Sequence, residues 1–131
     1  MVHVLIIDDD EDDRDVLSDA IHELDAQIKC TMAGNGEEAL NGLRVLQYPK
    51  PQLIFLDVNM PRVDGVQFIK ELKKDRALSD IPVVVYTTSK LKEDAKRMQE
   101  LGAVYFLTKP SNFKILCRSV QEIFTKELIH R

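Results

Sequence analysis

Two cysteines in 131 residues, Cys30 and Cys117, are too few and too far apart for a disulfide framework or a thiolate metal cluster, so both are expected to be reduced and packed. His3, His22 and His130 have no Cys or His neighbours at ligand spacing and read as packed or solvated side chains. A basic excess is missing too. Eighteen Lys plus Arg against 22 Asp plus Glu leave a net charge of −4, which removes the electrostatic footprint of a nucleic-acid binder and makes polyanionic partners unexpected. No apolar run approaches the roughly 20 residues that span a bilayer, and the chain opens into Val2-His3-Val4-Leu5-Ile6-Ile7 with neither a basic segment nor a small-residue cleavage site. The expectation is a soluble, cytoplasmic protein with no membrane partner. Linkers, repeats and low-complexity tracts are also lacking, so residues 1–131 read as a single domain, too short for a two-domain enzyme.

What is present is an alternation, five times over, of short apolar runs with amphipathic stretches. The strand candidates are 3–8, 28–32, 52–57, 82–87 and 104–108, and four of them are near-continuous apolar or β-branched runs suited to strands covered on both faces. The second is more mixed and is expected at an edge. Helix candidates follow at about 12–24, 36–46, 65–74, 90–101 and 112–128, each with a helical apolar stripe. Examples are Val16, Ala20 and Leu24 in the first, Leu91, Ala95 and Met98 in the fourth, and Phe113, Leu116, Val120, Ile123, Phe124 and Leu128 in the last. Gly34-Asn35-Gly36, Asp64-Gly65 and Gly102 fall where the turns are needed. Lys70, Lys73, Lys74 and Arg76 read as a solvated face of the third helix. Right-handed βα units of this number predict an α/β fold, a doubly wound five-stranded parallel sheet of order 2-1-3-4-5 with helices on both faces. Ligands of such sheets bind outside the carboxyl ends of the strands, where the first and third strands part.

The residues ending those strands are Asp8-Asp9-Asp10 and Asp57. Neighbouring strands lie about 4.8 Å apart, which places two or three carboxylates around one small pocket. Two like charges about 4 Å apart cost on the order of 4 kcal/mol at an effective dielectric of 20, so either their pKa values rise or a cation lies between them. An all-oxygen set without His or Cys suits Mg²⁺ or Mn²⁺. Asp10, Asp12, Asp13 and Asp15 read instead as an acidic helix start, with Asp10 or Asp12 as its cap. The fourth strand ends in Thr87 and the fifth is followed by Lys109-Pro110. A hydroxyl and an ammonium on the rim that carries the carboxylates are what a phosphoryl group needs from its host.

At this point the chain resembles the receiver domains of bacterial two-component response regulators, a flavodoxin-like family. The resemblance rests on Val4-Leu5-Ile6-Ile7-Asp8-Asp9, on Ala33 to Leu40, on Leu53-Ile54-Phe55-Leu56-Asp57-Val58-Asn59-Met60-Pro61 with Asp64-Gly65, on Pro82 to Thr87, and on Lys109-Pro110. It implies that Asp57 accepts a phosphoryl group from the phosphohistidine of a sensor histidine kinase or a histidine phosphotransfer protein. It implies further that Asp8, Asp9, Asp57 and the carbonyl of Asn59 hold Mg²⁺, with Mn²⁺ possible, that Thr87 is the switch hydroxyl, and that Lys109 is the counter-cation. Phe106 falls at the switch aromatic position, with Tyr105 facing the other side of the strand, and the Lys109-Pro110 bond is expected to be cis. Thr88 stands where the family often has alanine, a departure that narrows access to Asp57, and Asn59 and Ser89 occupy positions that tune hydrolysis.

The function implied is a phosphoacceptor switch, not an enzyme acting on other substrates. It is expected to stand alone, without an effector domain, as a monomer or a phosphorylation-dependent dimer. Its signal would reach a downstream protein through the face of the fourth helix, fifth strand and fifth helix, by way of residues such as Lys92, Lys96, Tyr105 and Arg118. Two rivals exist. The apolar run into Asp8-Asp9-Asp10 also resembles haloacid-dehalogenase-type phosphatases, but Glu11-Asp12 follow where that family usually has Gly-Thr or Gly-Val. A degenerate receiver acting without phosphorylation is the other, and the full set of signature side chains argues against it.

Overall fold

Alternate residues of a strand point to opposite faces, so an apolar run without alternation must be covered on both. The computed structural model, which describes residues 2–58, 65–88 and 92–129, shows how. Its elements run β1 (His3–Ile7), α1 (Glu11–Leu24), β2 (Lys29–Ala33), α2 (Gly36–Arg44), β3 (Leu53–Leu56), α3 (Gly65–Lys74), β4 (Val83–Thr87), α4 (Lys92–Leu101), β5 (Tyr105–Thr108) and α5 (Phe113–Phe124), with a wider π-type turn over Thr125–Ile129. The strands form one parallel sheet in the order β2-β1-β3-β4-β5. Fold class and order are those read from the sequence, and β2, with only its last residue buried, lies at an edge.

The sheet divides the apolar residues into two cores. Leu5, Ile7, Ile54, Leu56, Val83 and Val85 face α2, α3 and α4, with Phe68 and Met98 among their partners. Val4, Ile6, Leu53, Phe55, Val84 and Tyr86 face α1 and α5, where Phe55 stacks on Phe124 with ring centroids 6.3 Å apart. Each fully buried side chain of this size contributes roughly 1.5–3 kcal/mol. Cys30 and Cys117 are free thiols, half-buried against the second core.

The structure shifts several details. In α1 the buried positions are Leu17, Ala20 and Ile21, whereas Val16 is 43% exposed, so the stripe is turned from the Val16-Ala20-Leu24 line toward α5. Phe113 of the last stripe is likewise exposed. The second helix stops at Arg44 because Leu46 takes φ 56°, and the Gln47 N–H turns back to donate to the Gly42 carbonyl at 2.9 Å. Gly102 closes α4 at φ 113°, as its type predicts. The Lys109-Pro110 bond is trans, not cis. Trans is the intrinsically favoured isomer of an X-Pro bond, by about 0.5–1 kcal/mol. Asn59, Met60, Pro61, Asp64, Ser89, Leu91 and His130 lie outside the described residues, as do the side chains of Lys92 and Leu128.

Candidate functional site

Among the described residues, the buried polar or charged ones are Asp8, Asp57 and Thr87, exposed by 1%, 6% and 0%. All three stand at the carboxyl ends of adjacent strands. Asp8 follows β1, and its N–H donates to the Ala33 carbonyl of β2 at 3.1 Å. Asp57 follows β3, and its N–H donates to the Ile7 carbonyl at 2.9 Å. The pairing of Ile7 with Leu56 makes the next residues, Asp8 and Asp57, neighbours. Thr87 ends β4, and its carbonyl accepts the Lys109 N–H at 2.7 Å, which brings the residue after β5 to the same rim. Below the rim, Gly65 opens α3 where a Cβ would come within 2.8 Å of the Val58 backbone, so the turn after Asp57 admits no side chain there.

Lys109 joins these groups. Its Nζ lies 2.9 Å from Asp8 Oδ2, 2.7 Å from Asp13 Oδ2 and 3.5 Å from Asp57 Oδ2, and 5.3 Å from the centre of the Tyr86 ring. Burial pushes the Asp8 carboxyl up to about 6, against the opposing pull of its hydrogen bonds from Lys109 and from the Asp10 N–H. Burial would lower Lys109, but its hydrogen bonds to Asp13 and Asp8 and the charge of Asp57 hold it above the usual lysine range. Tyr86 rises to about 12, chiefly through burial. Burial, far more than crowding by Asp57, thus raises Asp8, while a resident ammonium lies among the charges.

The oxygens of Asp8, Asp9 and Asp57 all lie within 4.8 Å of one another, with Asp9 exposed and the other two buried. This all-oxygen donor set, open to solvent on one side, fits a hard divalent cation. Asn59, the fourth expected ligand, is outside the described residues. Phe106 packs half-buried against the α3–α4 core, while Tyr105 faces the other core and accepts a hydrogen bond from Lys126 Nζ at 2.9 Å. Thr88 is exposed beside Thr87.

Asp10 is the N-cap of α1, accepting from the Asp13 N–H at 3.1 Å. The reading of Asp13 as no more than an acidic helix start is corrected, since its carboxylate makes the shortest contact to Lys109. A signal was present: side chains in a first helical turn lean back toward the N-terminus, here toward the strand ends. His22 bonds the Ile28 carbonyl at 2.9 Å and Lys73 the Ser79 carbonyl at 3.1 Å. Neither belongs to the site.

The family profile described as the response regulator receiver domain matches residues 4–121. The chain belongs to this family. It is 32% identical over 119 residues, 91% of this chain, to the Bacillus subtilis (strain 168) protein named Probable C4-dicarboxylate response regulator DctR, and spans 50% of that relative's length. The Mn²⁺-bound form of the response regulator Rcp1 superposes with a TM-score of 0.83 at 30% identity, covering 95% of this chain and 93% of that one. The phosphorylated cyanobacterial phytochrome response regulator RcpA gives 0.88 at 28% identity, covering 99% and 96%. This receiver domain is thus a two-component signalling module. No helix among its described residues is long and apolar enough to cross a membrane.

Proposed function

We propose that this receiver domain is a phosphoacceptor switch in which Asp57 takes a phosphoryl group from the phosphohistidine of a sensor histidine kinase or a histidine phosphotransfer protein. The observation that carries the reading is the burial of Asp8, Asp57 and Thr87 at three adjacent strand ends beside Lys109. Carboxylates are seldom buried, and two of them gathered with a hydroxyl around one ammonium at a strand-end rim support a chemical role. A carboxylate oxygen of Asp57 attacks phosphorus, the P–N bond breaks, and its electron pair stays on the imidazole, which takes a proton. Thr87 donates its hydroxyl, and Lys109 its ammonium, to oxygens of the phosphoryl group. Asp8, Asp9 and Asp57, with the Asn59 carbonyl, would hold Mg²⁺ or Mn²⁺, which when bound offsets phosphoryl charge.

Thr87 drawn toward the phosphoryl group vacates space that the Phe106 ring fills. Lys96, Tyr105 and Arg118 then carry the altered face to a downstream protein. Binding that differs between the two conformers is what gives the phosphoryl group its leverage. Residues 1–131 act as a single cytoplasmic domain in this reading, a monomer or a phosphorylation-dependent dimer, with no membrane or nucleic-acid partner and no catalysis beyond its own phosphorylation and dephosphorylation. Incubation with acetyl phosphate and Mg²⁺ is expected to add one phosphate by mass, and Asp57→Asn to abolish it. Labelling that persists in Asp57→Asn would overturn the assignment.

A further inference from the structure

An ammonium has three N–H donors, and Lys109 meets three carboxylates. The shortest contact, 2.7 Å, goes to Asp13, which is not one of the aspartates grouped to hold a cation. The Lys109 side chain is 11% exposed, so it has little water to turn to, whereas Asp13 is 39% exposed and reaches in from the surface. Its place is fixed by the chain: Asp10 caps α1 through the Asp13 N–H, and Arg14 Nη1 donates to the Asp8 carbonyl at 2.9 Å, tying this turn to the end of β1. The first helical turn also favours a negative charge.

We infer that Asp13 is a positioning residue for Lys109, its carboxylate sharing the ammonium with Asp8 and holding it off Asp57, so that the ammonium does not compete at Asp57 with a divalent cation. The inference rests on the reading of Asp8, Asp9 and Asp57 as the metal group. Without Asp13 the enclosed ammonium has Asp8 and Asp57 left to satisfy it. Already bonded to Asp8 at 2.9 Å, it closes the 3.5 Å to Asp57, and its positive charge then competes with the metal there. The Lys109 ammonium also lies over the Tyr86 ring, 5.3 Å from its centre, an attraction that favours its staying in the site.

A double-mutant cycle on Mg²⁺ binding, by calorimetric titration at neutral pH without phosphodonor, separates this role from a direct effect of the Asp13 charge. Asp13→Ala is expected to weaken Mg²⁺ about fivefold, and Asp13→Asn, which keeps an acceptor oxygen, by less. In a Lys109→Met background, or Lys109→Gln should that chain not fold, Asp13→Ala is expected to change affinity by less than about twofold. Equal losses in both backgrounds, or unchanged or tighter binding in Asp13→Ala, would overturn the inference. Failure of the metal reading is distinguishable as absence of Mg²⁺ binding by the unsubstituted chain.

Discussion

Asp8 is ionised at neutral pH at the expense of the fold. Its carboxyl is raised from 3.8 to about 6, so between those values the folded chain holds a proton that the unfolded chain has released. Stability from this group is fully present at acid pH and is lost as pH rises through about 6, a loss on the order of 3 kcal/mol by pH 7. Asp8→Asn keeps the shape without the charge. It is expected to raise the melting temperature at pH 7 in metal-free solution, with the gain shrinking toward zero near pH 4. Thermal melts of both chains across this range measure it, and a constant difference at every pH would contradict the cause given. The site residues themselves were legible because Asp8, Asp57, Thr87 and Lys109 each interrupt or follow an apolar strand, where a polar side chain has no packing role. Asp13 was not, because an acid in the first turn of a solvated helix already has a sufficient explanation.

At the scale of elements, strands were the easier reading, since a run such as Pro82 to Thr87 leaves no face for water and bounds itself. Helix faces were harder. Val16-Ala20-Leu24 and Leu17-Ala20-Ile21 are stripes about one residue apart, and contact with both the sheet and α5 decides between them. The end of α2 was hidden for another reason: the chain makes the turn usually given to glycine with Leu46. The Leu46 N–H to the Leu43 carbonyl and the Gln47 N–H to the Gly42 carbonyl form the paired bonds of that turn, with φ 56° at a leucine that is 78% exposed. A Cβ in this conformation costs roughly 1–2 kcal/mol, and an exposed side chain returns little of it. Leu46→Gly is therefore expected to stabilise the chain by about 1 kcal/mol after the entropy of the unfolded glycine is subtracted, measurable by urea denaturation with an unchanged slope.

Over the whole molecule, order 2-1-3-4-5 followed from length and alternation and placed Lys109 on the carboxylate rim, but no local pattern could say that its ammonium would bond Asp8 itself. Lys109 and Asp8 are 101 residues apart in sequence and 2.9 Å apart in space. Contacts that close so long a loop are slow to form, and this one needs β1, β3, β4 and β5 all in place before ammonium and carboxylate can meet. The ion pair is thus expected to be absent from the folding transition state. Lys109→Met should speed unfolding and leave the refolding rate nearly unchanged in stopped-flow kinetics, whereas slowed refolding would place the pair in the nucleus. The same closure has a consequence for a nascent chain. Until β5 has left the ribosome and docked, the aspartates lack their counter-charge, so a half-made chain carries its strand-end carboxylates unmatched, and the finished cluster arrives only with the completed fold.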